Sequence, residues 1–251
     1  MNDQEIGWRR YMNKWPPGMF LSELPTNAVE ALLASGEERQ YRPGEILMRQ
    51  NDPGNSVAAL LDGVVRVSTA PESAKKKEPL LQDVRGSGDI LGEGALAPAG
   101  RRSATVVVAH RPASVVRVTY GQLKKVAIEH PDLYWQITTA IADKLAAQMR
   151  RRSEIWSAET EVRLARILVE LVERLSDPSD PGYVLDVGLT QADLGSLIGI
   201  GRNLVNQHLG ELQEQGILEH HRMKTTVFDM LALRRIARSG TETSAPARAQ
   251  P

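Results

Sequence analysis

The region after Gly201 concentrates side chains that can form paired hydrogen bonds. Within six residues it carries Arg202, Asn203, Asn206 and Gln207. Guanidinium and amide groups match the donor and acceptor patterns that base edges display in the major groove of DNA. These positions occupy the first two turns of a predicted helix, so part of its surface can present them together. The pattern therefore indicates the reading of a base sequence.

Two short helices joined by a corner would position these side chains. Thr190 and Asp193 have the spacing of a helix-capping signature, and Gly195 allows a second helix to approach closely. Gly199 and Gly201 interrupt the helical pattern, although glycine costs about 1 kcal/mol relative to alanine inside a helix. A corner between two helices explains them better, and the pattern predicts a helix-turn-helix. An αα-hairpin that only packs is the alternative.

A hairpin is predicted after the second helix, in the segment GILEHHRMKTTVFDM. Basic side chains lie near its tip, which is typical of the wing of a winged helix-turn-helix. Arg222 and Lys224 are expected to contact DNA there. Thr190 and Gln191, at the start of the first helix, complete the predicted DNA-contacting set.

Residues 41–120 have the pattern of short strands separated by glycine and proline turns. Segments such as VVRVS, ATVVVA and SVVRVTY are rich in β-branched residues, which favours a sandwich, roll or barrel. A short helix closed by Gly36 precedes them. Residues 71–79 are polar and bounded by prolines, so they are predicted to form a hairpin loop.

A long amphipathic helix is predicted over residues 132–157, which contain neither glycine nor proline. Its apolar side chains recur every four residues, at Leu133, Ile137, Ile141, Leu145 and Met149. An exposed stripe of this length predicts a homodimer, with the last four of these residues at its interface. The alternative is a helix that packs wholly against its own β domain.

The remaining segments complete the predicted organisation. A further helix carries apolar side chains from Leu164 to Leu175 and ends in the loop SDPSDPG. The predicted fold class is α+β: a jelly-roll-like β-roll, a dimerisation helix and a winged helix-turn-helix. The predicted domains are 1–130 with the N-terminal segment and roll, 131–158 with the dimerisation helix, 159–238 with the winged unit, and 239–251 as a disordered tail.

Composition limits the classes of function. Lys and Arg total 31 and so do Asp and Glu, so any site for a polyanion must be local. The chain has no cysteine, which excludes disulfides, thiolate metal sites and a cysteine nucleophile. No metal-ligand spacing or nucleophile–base pair is evident, so we expect neither an enzyme nor a metal site. Without a membrane span or signal peptide in the sequence, we expect a cytoplasmic protein.

The segment LTQADLGSLIGIGRNLVNQHLGELQEQGIL resembles the DNA-binding segment of the cyclic-AMP receptor protein/FNR (Crp/Fnr) family, whose pattern is T-x-x-x-[LI]-[GA]-x-x-[VI]-G-x-x-R-x-x-V. RPGEILMRQNDPGNSVAALLDGVVRV is similar to the ligand-sensing roll of that family, and the resemblance covers about residues 20–238. It implies a bacterial, dimeric transcription regulator that binds double-stranded DNA at an inverted repeat, and RNA polymerase if it is an activator. His208 departs from the pattern, since the family usually packs an aliphatic residue there.

The resemblance also implies a phosphate-binding cassette that begins with Gly-Glu and ends with Arg-[ST]-Ala-x-Val. Six residues match it: Gly92, Glu93, Arg102, Ser103, Ala104 and Val106. Gly94 departs from it, replacing a larger apolar residue. A guanidinium fork and a hydroxyl suit phosphate oxygens, and a carboxylate can accept from a ribose hydroxyl. The implied effector is a cyclic nucleotide, cAMP or cGMP. The alternative is a structural ion pair between Arg102 and Glu93 in a degenerate pocket, and hence a ligand-independent regulator.

Two further departures leave the ligand and the DNA sequence open. Where cAMP readers of the family place hydroxyl residues against the adenine, this chain has Gln148 and Met149. Asn203 stands where the family often has a glutamate, and an amide pairs best with adenine. We therefore expect a half-site that differs from the family's usual TGTGA. A haem or redox sensor on the same fold is a further alternative, with His110 and His130 as available haem ligands.

Overall fold

A computed structural model of the chain describes residues 7–70, 79–96, 100–179 and 182–239. Apart from Pro79 and Ser239, the predicted loop at 71–79 and the predicted tail at 239–251 lie outside these ranges. The chain divides into two compact units, Met1–Ala147 and Gln148–Pro251. This division falls inside the long helix, whereas the predicted domains give that helix a segment of its own. The predicted domain borders stay a prediction.

The first unit is a β-roll, as the turn-separated strands predict. Its described strands are β1 (Glu37–Tyr41), β2 (Ile46–Met48), β3 (Ser56–Asp62), β4 (Val64–Thr69), β5 (Leu80–Gly86), β6 (Ile90–Leu91), β7 (Thr105–Val108) and β8 (Ala113–Thr119). They form two antiparallel sheets in the orders β1-β8-β3-β6 and β2-β7-β4-β5. Strand β3 is buried along almost its whole length, as a run of small and branched apolar residues predicts. Ala59 pairs with Val116 on β8.

Helices flank the strands of the roll. Helix α1 (Thr26–Ala34) precedes them, and α2 (Tyr120–Glu129) follows β8 directly. The sequence analysis did not single out α2. Its start carries a capping box in which Thr119 and Gln122 bond each other's backbone amides, a local signal that was available in the sequence.

Helix α3 (Asp132–Ser157) has the predicted bounds but does not use its apolar stripe as one face. Leu133 and Ile137 are buried in the roll's core with residues of α1 and α2. Ile141, Leu145 and Met149 are exposed, at 39%, 56% and 66%. Four-residue spacing advances by about 400°, so the stripe drifts around the helix by roughly 40° at each step. Its own roll covers Ile137, so of the four residues predicted at a dimer interface only Ile141, Leu145 and Met149 are exposed in the single chain.

The second unit is built on α4 (Thr160–Leu175), α5 (Gln191–Ile198), α6 (Arg202–Glu214) and α7 (Met230–Ser239). Leu164, Leu168 and Leu171 of α4 are fully buried, in agreement with its predicted apolar face. The described strands of this unit are β9 (Asp177–Ser179), β10 (Gly182–Leu185), β11 (Leu218–His221) and β12 (Lys224–Val227). They form an antiparallel sheet in the order β11-β12-β10-β9. The hairpin of β11 (Leu218–His221) and β12 (Lys224–Val227) is the predicted wing.

The predicted loop SDPSDPG at 176–182 contributes to two strands instead. These are β9 (Asp177–Ser179) and β10 (Gly182–Leu185), which pair antiparallel, and β10 also pairs with the wing strand β12. Two prolines and polar residues predict a loop locally, but β9 pairs with the neighbouring β10, and β10 is held in turn by the distant β12, which outweighs that preference. No helix in the described residues is both long and apolar enough to cross a membrane.

Candidate ligand pocket and nucleic-acid interface

Arg102 is a buried cation inside the roll. Only 6% of its surface is exposed, and it lies just before β7. Its Nη1 donates to the carbonyl of Gly92 (3.1 Å) and its Nη2 to Oγ of Ser56 (3.1 Å). Gly92 has a positive φ, and a Cβ there would lie 2.3 Å from Arg102 Nη1, so this position requires glycine. Burial lowers the pKa of Arg102, because the charged form loses hydration.

A second arginine approaches the same serine. Nε of Arg117, on β8, donates to Ser56 Oγ at 2.9 Å, so a fully buried hydroxyl accepts from both guanidinium groups. A cavity of about 280 Å³, here called the roll cavity, lies against them. Its charged lining residues are Arg49, Asp52, Arg102 and Arg117, three cations against one anion. The roll cavity therefore favours an anion.

Glu93 is held by the long helix. Its Oε1 accepts from Nζ of Lys144 at 2.9 Å, and the same ammonium donates to the carbonyl of Ile90 at 2.6 Å. Both side chains are 14% exposed. The alternative ion pair between Arg102 and Glu93 is not formed, and the carboxylate pairs with Lys144 instead. The sequence analysis missed Lys144, although it follows the buried Ile137 by seven residues and so shares its helix face.

The other predicted pocket residues lie nearer to solvent. Ser103 is exposed, and a Cβ at Gly94 would lie 3.3 Å from its Oγ. The glycine that departs from the family pattern therefore leaves the Ser103 hydroxyl uncovered. Gln148 is exposed, one helical turn beyond Lys144.

Tyr120 adds a neutral donor beside the cassette. Its hydroxyl donates to the carbonyl of Gly92 at 3.1 Å, the same oxygen that Arg102 uses. Burial raises the pKa of Tyr120, so the hydroxyl keeps its proton at neutral pH.

In the second unit, the predicted corner has the expected geometry at one of its two glycines. Gly199 ends α5 in the left-handed region, with φ +69°, whereas Gly201 is extended at φ −73° as the N-cap of α6. The capping box is present: Thr190 Oγ1 accepts from the amide of Asp193 at 3.1 Å, and Asp193 Oδ2 accepts from the amide of Thr190 at 2.9 Å. The helix-turn-helix is confirmed.

The side chains predicted to read bases are exposed on α6 and partly linked together. Gln191 of α5 donates through Nε2 to Oδ1 of Asn206 (2.9 Å), and its Oε1 accepts from Nε of Arg202 (3.4 Å). Gln207 donates to Oε1 of Glu211 at 2.9 Å, while Asn203 is exposed. Gln191 therefore orients an arginine and an amide toward one surface.

His208 is buried on the opposite side of α6. Its Nε2 lies 2.8 Å from Oγ1 of Thr160 at the start of α4, and its Nδ1 lies 2.8 Å from Oε2 of Glu211. An aliphatic residue could not make these bonds. The departure from the family pattern therefore has local hydrogen-bond partners.

The wing presents two permanent cations. Arg222, at φ +57°, forms the two-residue tip with Met223, and Lys224 begins β12; both basic side chains are exposed. His220 bonds Oγ1 of Thr225, and burial lowers its pKa, so this histidine is neutral at neutral pH.

The two histidines considered as haem ligands lie in separate connections. His110 is between β7 and β8, and His130 is between α2 and α3. Within the described ranges, no group of three or more His, Cys, Asp or Glu side chains could hold a metal ion.

Replacing Gly195 with alanine is expected to destabilise the second unit. The new Cβ would lie 2.5 Å from the carbonyl oxygen of Ile200 and 3.5 Å from Cγ2 of Val205, so the corner must shift at a cost of about 1–3 kcal/mol. Gly210 is the matched control, because it lies inside α6 with nothing near its Cβ position. Gly210→Ala should stabilise by about 1 kcal/mol. Urea unfolding measures both, and equal effects would contradict this account of Gly195.

Comparison with known proteins gives two domain matches. A cyclic nucleotide-binding domain model matches residues 38–130, and a Crp-like helix-turn-helix domain model matches residues 162–236. The chain is 24% identical over 224 residues to the CRP-like cAMP-activated global transcriptional regulator of Mycobacterium tuberculosis, covering 88% of this chain and 96% of that protein. It is 25% identical over 196 residues to the global nitrogen regulator of Synechococcus elongatus, covering 77% and 86%.

A solved structure supports the fold. FixK2 from Bradyrhizobium japonicum matches with a TM-score of 0.68 at 19% identity, covering 80% of this chain and 96% of that one. Both curated relatives are regulators by name rather than enzymes.

Proposed function

Since this chain belongs to the Crp/Fnr family of transcription regulators, we propose that it is a homodimer that binds a cyclic nucleotide in its roll and reads an inverted repeat in DNA. The observation that supports a bound anion is the burial of Arg102 beside the roll cavity. The charged residues that line this cavity are three arginines and one aspartate. Burying a cation is costly unless an anion accompanies it, and a cyclic phosphate supplies one. cAMP and cGMP are the proposed effectors.

Each cassette residue has a proposed role. Arg102 and Ser103 bind the phosphate oxygens, and Gly92 keeps the backbone close to Arg102. Glu93 accepts from the ribose hydroxyl through Oε2, since Oε1 is bonded to Lys144. Gln148 lies one turn beyond Lys144 and is proposed to contact the purine edge. Ligand at Glu93 is thereby connected to helix α3 through a single ion pair.

The proposed dimer interface consists of Ile141, Leu145 and Met149. Their exposure leaves an apolar surface on α3 that a second copy would cover. A two-fold pair places two recognition helices on one face of the DNA, about 34 Å apart. Half-sites one helical turn apart follow from that spacing.

On the DNA, Arg202 is proposed to pair with a guanine and Asn203 with an adenine, while Asn206 and Gln207 contact neighbouring base edges. Thr190 and Gln191 at the start of α5, and Arg222 and Lys224 on the wing, are proposed to contact the phosphate backbone. Nε of Arg202 donates to Gln191, so the two terminal nitrogens of the Arg202 guanidinium are left to contact the base.

In-vitro selection from random duplexes tests the proposed reading of DNA. We expect an inverted repeat that keeps the guanine facing Arg202 and departs from TGTGA at the base facing Asn203. Arg202→Ala should cost about 1–3 kcal/mol and relax preference at that guanine alone. Arg222→Ala on the wing should instead weaken binding to all sequences alike and reduce its salt dependence. Recovery of unaltered TGTGA, or of no repeat, contradicts the proposal.

A further inference from the structure

The second unit contains a cavity that the proposed function does not use. It measures about 260 Å³ and is here called the α4 cavity, because α4 supplies half of its lining residues, more than any other helix. Its apolar lining consists of Ile167, Val169, Leu197, Ile198 and Ala237. Four arginines and three glutamates complete the lining, so its charge is not balanced.

The glutamates of the α4 cavity already have arginine partners. Glu154 pairs with Arg166 at 3.3 Å, and Glu173 pairs with Arg234 at 2.8 Å. Glu170 pairs with both Arg151 and Arg174. No carboxylate of the lining is therefore left to neutralise a further cation.

Arg163 is a buried cation of this lining, and it pairs with no carboxylate among the described residues. It is 8% exposed, and its Nη1 donates to the carbonyl of Ile198 at 2.8 Å. Its Nε is buried and has no hydrogen-bond partner in the described part of the chain. The dipole of α5 places the equivalent of about half a negative charge at the C-terminal end of this helix, next to Arg163. This is less than the full positive charge of the guanidinium. A buried cation in this position favours an added anion.

Arg150 supplies a second cation at the rim of the α4 cavity. Its side chain is exposed, and no ion pair involves it in the described ranges. An anionic ligand in this cavity would meet one exposed and one buried arginine, and the aliphatic side chains of the lining would face the rest of it. A guanidinium fork matches a carboxylate in particular, because two parallel hydrogen bonds can form.

We infer that the α4 cavity is a second ligand site, separate from the roll cavity, which binds a small organic acid with one carboxylate and an apolar body. The carboxylate bonds Arg163 and Arg150, and the apolar body covers Ile167, Leu197 and Ile198. Because Arg163 holds the carbonyl of Ile198, the residue before Gly199, the ligand sits directly behind the helix-turn-helix corner.

Saturation-transfer NMR with benzoate on the full-length protein tests this site, with benzamide as the uncharged isostere. We expect saturable binding of benzoate and none of benzamide. Arg163→Lys keeps the positive charge but loses the paired donors of the guanidinium, so it should lower the affinity for benzoate by about tenfold or more. Arg150→Gln should weaken it by about threefold, the effect of an exposed ion pair. Arg152→Gln is the matched control, an exposed arginine on the same helix outside the cavity lining, and should leave binding unchanged.

The Arg102→Ala variant separates this site from the roll cavity. Benzoate binding should persist in that variant, whereas cyclic-nucleotide binding should not. Loss of benzoate binding with Arg102→Ala would assign the anion to the roll cavity and overturn the inference. Equal binding of benzamide, no saturable benzoate binding, or equal affinity in Arg150→Gln and Arg152→Gln would each overturn it as well. If Arg163→Lys fails to fold, the Arg150 and Arg152 pair still decides.

Discussion

Replacing Arg102 with alanine is expected to abolish detectable binding of cAMP and cGMP. Losing one partner of a desolvated guanidinium–phosphate pair costs about 2–5 kcal/mol, or roughly 30-fold to several thousand-fold in affinity. Arg102 is suited to such an effect because it is 6% exposed and its position is fixed by Gly92 and Ser56. Calorimetric titration of the wild type and the variant with both nucleotides measures the loss.

The neighbouring arginine provides the control for this prediction. Arg101 is exposed and donates to the carbonyl of Asn51 at 2.8 Å, outside the roll cavity. Arg101→Ala should therefore bind the nucleotide like the wild type, and circular dichroism of both variants should match that of the wild type. If the wild type itself binds neither nucleotide, the roll cavity is degenerate or serves another ligand, and the roles proposed for Glu93 and Ser103 fall with it.

The double change Ile141→Arg with Leu145→Glu is expected to convert the protein to a monomer. Both side chains are exposed in the single chain, at 39% and 56%, so the changes cost little within it. In the proposed dimer they would bury charges in an apolar interface, which costs several kcal/mol for each ion. Light scattering should then report a mass near 27.6 kDa. Affinity for the inverted repeat should fall by about 10²-fold or more, since two half-sites no longer bind together.

A matched change on another face of α3 distinguishes interface loss from a general charge effect. Asp143 and Ala146 are exposed, and they lie on the far side of the helix from Ile141 and Leu145. Asp143→Arg with Ala146→Glu should leave the dimer intact. A dimer that survives the Ile141 and Leu145 changes would place the interface elsewhere.

Local signals were sufficient for several elements of this fold. The bounds of α3 follow from Pro131 before it and the absence of glycine and proline within it. The helix-turn-helix follows from the Thr190–Asp193 capping box and from Gly199, which alone of the two corner glycines needs the left-handed region. Each of these signals depends on residues a few positions apart, so the sequence itself determined them.

Pairings between distant segments were decided only by the tertiary structure. Strand β10 pairs with β12, which lies about forty residues further along the chain, and no spacing within the segment around β10 indicates that partner. The drift of the stripe on α3 buries Ile137 under its own roll and leaves Ile141 exposed, which periodicity alone could not assign.

The chemistry of the candidate sites depends on the same long-range contacts. Glu93 bonds Lys144 across 51 residues, and Ser56 joins Arg102 to Arg117 from three separate strands or turns. The sequence identified Arg102 and Glu93 as candidates because their types suit a phosphate and a ribose. The groups that Arg102 and Glu93 bond within the protein depend on how the sheets and α3 pack. Two charges pair only when they lie within a few ångströms of each other, and the spacing of residues along the sequence does not determine that distance.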